Sequence, residues 1–489
     1  MKTPIITFAF LFATLVVSAQ STTGLSEINK EGLIVNVRIL TSPDFDGRLP
    51  GSEGYNKAAQ FAADKFYELG LKPAGDETYF QYFNVEYNKI KSPAIFKTIV
   101  DEDTINYRIG KDFVLRGFTG SNSFTLPVVF CGYGISRPDL YYDDYAGINV
   151  KNKIVMVFKQ NPSWKNNNKD WGTNYPREKS LVAQKHGAKG ILFVSLPNDT
   201  KPQPLIGSVL HGEGEQPINF PQLQISLDAA SKLLSKTGFT INDCQTKIDE
   251  RKKPLSMNLI TKAVVEVNAE YEKNARTMNV VAMIEGSDPK LKEEYVVIGA
   301  HLDHVGSQAG LLFPGANDNA SGSAGVLEIA KAFVKGGIVP KRSVIFVLFA
   351  SEEQGLNGAK HFVNSWKKGY DKIAAMINLD CVGYGDSIQV GNGKSAPMLW
   401  QIANQIDETS FNSMVERTWN GGGADATPFY EKGIPCLYFV TTNSYDHLHL
   451  PSDEVSTLNP GLYEKVVRLA HLTALEVANG NYQREEVIK

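Results

Sequence analysis

The stretch Tyr295-Val296-Val297-Ile298-Gly299-Ala300-His301-Leu302-Asp303-His304 joins a short, β-branched apolar run to a loop that carries two imidazoles and a carboxylate. Such a run reads as a buried strand, and the polar residues directly after it read as a ligand loop. The layout recurs downstream. Residues 344–349 end in Ala350-Ser351-Glu352-Glu353, residues 373–379 end in Asp380, and residues 436–440 are followed within ten residues by His449. After the first loop, Gly315-Ala316-Asn317-Asp318-Asn319-Ala320-Ser321-Gly322 opens a helix with apolar positions at Val326, Leu327, Ile329, Ala330 and Phe333, which puts Asp318 at or near its N-terminus. In an open α/β sheet, ligand sites gather at the carboxyl ends of strands, so His301, Asp318, Glu353, Asp380 and His449 can converge although they are far apart in the chain.

The chemistry of this set narrows the ion. Two imidazoles with three carboxylates suit zinc, with cobalt or manganese as substitutes, better than calcium, which prefers an all-oxygen shell. A carboxylate is the natural bridge between two cations because each oxygen can serve a different ion. Two zincs roughly 3.5–4 Å apart form a clamp for hydrolytic attack on a carbonyl, with one water held between them.

The segments AHLDHVG, GANDNASG, ASEEQGLNGA, NLDCVGYG and HLPSDEV, in this order, resemble the successive metal-site motifs of the M28 family of zinc-dependent aminopeptidases. The resemblance implies a three-layer α/β/α sandwich with a mixed central sheet. It also implies that His301 and Asp380 bind one zinc, that Glu353 and His449 bind the other, and that Asp318 bridges them. Asp303 is expected to hydrogen-bond the second ring nitrogen of His301 and so fix its tautomer. Glu352 is expected to be the general base. The residues alone point the same way, since neighbours on an extended stretch face opposite sides and a strand-end loop supplies the turn that lets Glu352 and Glu353 face one cavity. A carboxylate beside a metal-bound water can take its proton and pass it to the leaving amine.

His186, His211, His361 and His471 have no ligand-like setting and read as surface or packing residues, and His304 reads as pocket lining. His447 and His449 compete for the last ligand position. The family pattern has proline two residues after the histidine and aspartate two further on, which fits His449-Leu450-Pro451-Ser452-Asp453. One departure lies upstream: family members commonly carry Ser-Asp-His before a Pro-Phe pair, where this chain has Ala424-Asp425-Ala426-Thr427-Pro428-Phe429. Metal binding is expected to survive the change, whereas substrate contacts near it are open. Cys381 and Cys436 sit where apolar residues are expected and read as packing groups.

With 489 residues the chain has room for two or more domains. A net charge of −3 provides no basic field for nucleic acid, and no stretch beyond the N-terminus is apolar enough for a stable membrane span. Met1-Lys2, an apolar run over residues 5–17 and the small residues Val17-Ser18-Ala19 read as a signal peptide over residues 1–19, with export to the periplasm or the medium. Cys131, Cys244, Cys381 and Cys436 permit up to two disulfides in an exported chain.

Residues 40–71, where SPDFDGRLPGSEG leads into a helix, resemble the opening of the peptidase domain, whose signal resumes around residue 276. The runs at 126–134, 142–158 and 183–194 resemble a protease-associated (PA) domain, a small β-rich module. The expected organisation is a discontinuous peptidase domain over 20–94 and 263–489 with a PA insertion over 95–262. The insertion offers no catalytic set and is expected to shape substrate access. Residues 161–179, rich in Asn, Lys and Trp, read as an exposed loop that Trp164 and Trp171 could brace. The function implied is an exported di-zinc aminopeptidase acting on peptides with a free N-terminus. In it a metal-bridging hydroxide attacks the first peptide bond, with Glu352 as base. The alternatives are a glutaminyl cyclase-like enzyme with a single zinc and a receptor-like relative that has lost ligands.

Overall fold

The computed structural model describes residues 23–76, 78–165, 170–172, 175–212 and 214–489. The expected signal peptide at 1–19 lies outside them. Among the described residues, fourteen strands join in one sheet. At its centre Tyr295–His301 pairs in parallel with Ser343–Phe349 on one side and Ile373–Leu379 on the other, and Ile373–Leu379 pairs in parallel with Cys436–Thr441. Antiparallel strands flank this group: Ile388–Gly391 along Cys436–Thr441, and Ser256–Ile284 along Ser343–Phe349. The sheet is therefore mixed.

Parallel strands carry helices on both faces and so bury both sets of side chains. Tyr295–His301 and Ser343–Phe349 are buried at every position. Alternation along the strand divides them between two cores. Val296, Ile298 and Ala300 share one core with the helices Lys30–Leu40, Glu53–Glu68, Gly322–Lys335 and Pro460–Ala478, whereas Tyr295 and Val297 meet Phe362 and Phe429 of the helices Asn357–Ser365 and Ala426–Glu431. The result is a three-layer α/β/α sandwich that includes the N-terminal helices.

The sheet runs on into the insertion without a break. Ser256–Ile284 pairs antiparallel with Phe80–Val100 and, through residues 256–267, with Asn122–Cys131. Ile154–Phe158, Gly190–Val194 and Gln222–Ile225 then continue it in parallel. The expected boundaries at 94/95 and 262/263 fall inside the two long strands Phe80–Val100 and Ser256–Ile284. Two helices, Leu227–Leu234 and Ile241–Arg251, cover the face that carries Phe130, Met156 and Phe158, while Pro176–Lys185 covers the face of Val155 and Val157. Trp164 and Trp171 pack edge to face at 4.8 Å, and Trp171 is buried against this core. All four cysteines are free and buried. Among the described residues no helix is long and apolar enough to cross a membrane.

Candidate metal centre

The five expected ligands meet at the carboxyl ends of the parallel strands and form two groups that share Asp318. His301 is the last residue of its strand, and its Nε2 lies 3.4 Å from Asp318 Oδ1 and 3.3 Å from Asp380 Oδ1. His449 Nε2 lies 3.2 Å from Asp318 Oδ2 and 2.9 Å from Glu353 Oε2. Each oxygen of Asp318 thus faces a different imidazole. His447 is turned away, with its Nδ1 2.9 Å from the Ser452 hydroxyl.

His304 departs from its expected place. It is fully buried, with Nδ1 3.0 Å from Glu353 Oε1 and 3.6 Å from Asp318 Oδ2, so it stands among the donors of the second group rather than merely lining a pocket. The sequence hid this because its position in the loop does not disclose which way the ring turns. Asp303 also differs. Its carboxylate oxygen is 3.8 Å from His301 Nδ1, too far for a hydrogen bond, and the ring nitrogen instead lies 3.2 Å from the Asp303 main-chain carbonyl. The carboxylate is occupied by the backbone N–H groups of Glu352 (3.1 Å) and Glu353 (3.4 Å), so it braces the two-glutamate turn.

Three groups not assigned a role from the sequence hold the loops. Asp453, four residues beyond His449, accepts the N–H groups of Asn317 (2.8 Å) and Asp318 (3.0 Å). The Tyr438 hydroxyl donates to Asp380 Oδ2 (3.0 Å). Arg48 is fully buried and donates to four carbonyls, those of Leu40, Leu302, Pro314 and Gly315, at 2.7–2.9 Å. Asp46, Gly47 and Arg48 all have left-handed backbones (φ 46°, 65° and 55°), and at Gly47 a Cβ would lie 2.4 Å from the Gly306 carbonyl, which leaves no room for a side chain. The HLPSD spacing hinted at Asp453. Nothing in the local pattern marked Arg48 or Tyr438. The insertion reaches the centre as well, because the Gly207 N–H donates to the His449 carbonyl (2.8 Å).

The electrostatics fit divalent cations. Burial, reinforced by Asp425, Glu353 and Asp380, holds the Glu352 carboxyl well above the usual carboxylate range, and burial raises Asp303 to about 7. Although burial opposes it, Glu352 and Asp380 hold the His301 imidazole well above its ordinary range, and Glu353 and Asp318 do the same to His449. This crowd of carboxylates calls for positive charge, which an ion in each group would supply. Asp425 adds to it: it is fully buried, and neither carboxylate oxygen has a hydrogen-bond partner among the described residues. Its neighbour Ala426, at the position of the usual family histidine, packs with Phe349 and Phe429.

Known proteins resemble this chain in sequence and in fold. The model of peptidase family M28 matches residues 279–474, and that of the PA domain matches residues 124–233. A probable leucine aminopeptidase of Arthroderma benhamiae is 28% identical over 199 residues, which is 39% of this chain and 56% of the relative. The leupeptin-inactivating enzyme 1 of Streptomyces exfoliatus is 32% identical over 158 residues, covering 32% of this chain and 34% of its own. The chain thus spans about half or less of the curated relatives it matches. Whole-chain likeness is found among solved folds. A peptidase M28 precursor of Shewanella amazonensis superposes with a TM-score of 0.68 at 20% identity over 96% of this chain and 97% of its own, and a zinc aminopeptidase of Bacillus subtilis with 0.65 at 18% over 94% and 98%.

Proposed function

Since the chain is a member of peptidase family M28 with a PA domain set into it, we propose that it is an exported zinc aminopeptidase that removes the first residue of peptides with a free N-terminus. The observation that carries this reading is the divided carboxylate of Asp318, with one oxygen 3.4 Å from His301 and the other 3.2 Å from His449. His301, Asp318 and Asp380 would hold one zinc, and Asp318, Glu353 and His449 the other, with His304 as a further donor beside Glu353. Bound there, the pair would polarise the scissile carbonyl and acidify the attacking water.

The chain's own residues do the rest. Glu352 is kept by burial and by neighbouring carboxylates above the normal range, which suits a base that takes the proton of the attacking water and hands it to the leaving nitrogen. Asp303 holds the backbone of that glutamate in place. Asp380 has its orientation set by Tyr438 and, together with the unpartnered carboxylate of Asp425, favours a cationic α-amine beside it. Binding energy from that amine is available only to a correctly seated N-terminus, which is what makes a peptidase remove single residues.

The test is a panel of aminoacyl p-nitroanilides and short peptides, each free and N-acetylated, assayed with zinc analysis of the same sample. Unblocked substrates should release residues stepwise and acetylated ones should be nearly inert. Efficient cleavage of the acetylated peptides, or internal cuts, would remove the aminopeptidase reading. Export is checked separately: chain recovered from outside the producing cytoplasm should begin near Gln20.

A further inference from the structure

Two large cavities are lined by direct neighbours of the metal-centre residues. One, of about 520 Å³, lies beyond Glu353, where Gln354 and His211 line it. The other, of about 680 Å³, is joined to Asp380 through Tyr438, which donates to that carboxylate and forms part of the cavity wall. A peptide whose scissile carbonyl sits over Asp318, with its amine toward Asp380 and Asp425, would place its first side chain at the second cavity, which Tyr438 joins to Asp380.

Part of the wall is the segment 414–419, which is fastened to the edge strand Ile388–Gly391 and whose Trp419 packs edge to face on Tyr438 at 5.9 Å. The Val415 N–H donates to the Ile388 carbonyl (2.8 Å), the Thr418 hydroxyl to the Val390 carbonyl (2.8 Å), and Gln389 Nε2 to the Arg417 carbonyl (3.1 Å). Val415, Arg417 and Trp419 all line the cavity. The rim opposite carries Lys201 from the insertion, paired at 3.1 Å with Asp446, which also accepts from the Tyr384 hydroxyl at 3.3 Å. The lining thus holds two cations and one carboxylate, and that carboxylate is already taken by Lys201. The Arg417 guanidinium pairs with no carboxylate among the described residues.

We propose that this cavity selects a first residue whose side chain ends in a carboxylate, with Arg417 as the residue that reads it. The assignment rests on the aminopeptidase reading above. Val415, Trp419 and Tyr438 supply apolar walls for the methylene stem, and the backbone bonds of 414–419 hold Arg417 in place, so a carboxylate there gains a charge-assisted, bidentate partner. A leucine side chain would fill part of the same walls and leave the guanidinium without a counter-charge.

Glutamine is the neutral isostere of glutamate, so the experiment compares glutamyl, glutaminyl, leucyl and lysyl p-nitroanilides with the zinc-loaded full-length chain. The expected kcat/KM for glutamyl exceeds that for glutaminyl by about tenfold, the scale of one well-formed charge-assisted contact, and the margin shrinks as salt is added. Arg417→Gln should bring the ratio close to one, and Arg417→Glu should turn the preference toward lysyl. Arg417 is exposed and its side chain makes no hydrogen bond within the described structure, so both variants should fold, which thermal unfolding verifies. A wild-type ratio at or below one, or a ratio unmoved in Arg417→Gln, overturns the acidic preference while leaving the aminopeptidase intact. Failure to hydrolyse any unblocked substrate, leucyl included, overturns the aminopeptidase reading itself and this inference with it.

Discussion

Replacing Arg48 by methionine keeps the aliphatic stem and removes the guanidinium from a place that water does not reach. Four carbonyls lose a charged donor at once, at distances of 2.8 Å (Leu302), 2.7 Å (Leu40), 2.8 Å (Pro314) and 2.9 Å (Gly315). A hydrogen bond to a charged group contributes about 1.5–3 kcal/mol, but four bonds to one side chain are coupled and do not simply add. Against them stands the cost of burying the cation, which lowers the Arg48 pKa to about 10 and which the surrounding carboxylates of Asp453, Asp318, Asp303 and Glu353 offset in part. Loss of one partner from a buried charged network costs about 3–5 kcal/mol, and this is the destabilisation expected for Arg48→Met in urea unfolding at fixed zinc concentration. Leu302 is the residue directly after His301, and Gly315 lies three residues before Asp318, so the folded variant should also bind zinc more weakly in calorimetric titration of the chelator-stripped chain. Arg48→Lys keeps the charge but has three donors and no planar fork, so it should recover part of the stability and less of the zinc affinity. A methionine variant within about 1 kcal/mol of wild type, with unchanged zinc affinity, would refute the claim that Arg48 fastens the ligand loops to the N-terminal segment.

Asp318→Ala should lower zinc from close to two ions per chain to nearly none by elemental analysis, because both groups lose a donor; retention of one tightly held ion would mean that the sites do not share it. Glu352→Gln keeps size and polarity but cannot accept a proton, so turnover should fall by roughly 10²–10⁴-fold with zinc content unchanged; loss of zinc instead would exchange its role with that of Glu353. His471 is buried with Nε2 2.6 Å from the Thr23 carbonyl, and burial pushes its pKa down to about 4. Its folded value lies below the unfolded value of about 6.5, so stability is fullest above pH 6.5 and falls toward pH 4, by roughly 3 kcal/mol at most. Urea unfolding from pH 7 to 4.5 should show a shallower acid loss in His471→Gln; an identical loss would assign it to other groups.

The sequence disclosed those parts of the centre that depend on local pattern. A buried strand needs a continuous apolar run, and the residues just past its end are delivered to the sheet's carboxyl edge, so Tyr295–His301, Ser343–Phe349 and Ile373–Leu379 could be found together with the ligand groups after them. The choice of His449 over His447 rested on register with Pro451 and Asp453, and the structure has His449 Nε2 2.9 Å from Glu353 while His447 meets Ser452. The direction in which a loop side chain turns was not legible. His304 was read as lining and stands 3.0 Å from Glu353, and Asp303 was assigned to an imidazole yet holds two backbone N–H groups. Both readings turned on rotations of a few bonds, which periodicity does not encode.

The sequence by itself determined the α/β alternation, the inserted module and the identity of the groups that meet at the strand ends, because each depends on hydrophobic period and on donor chemistry over short spans. Only the tertiary structure decided how Arg48 reaches across 254 residues to the Leu302 carbonyl, how Gly207 of the insertion reaches His449, and how Arg417 and Tyr438 come to line one cavity. These contacts join segments remote in the chain. Their distances are set by how the helical layers and the shared long strands pack, and close packing is a property of the whole molecule that no local stretch specifies.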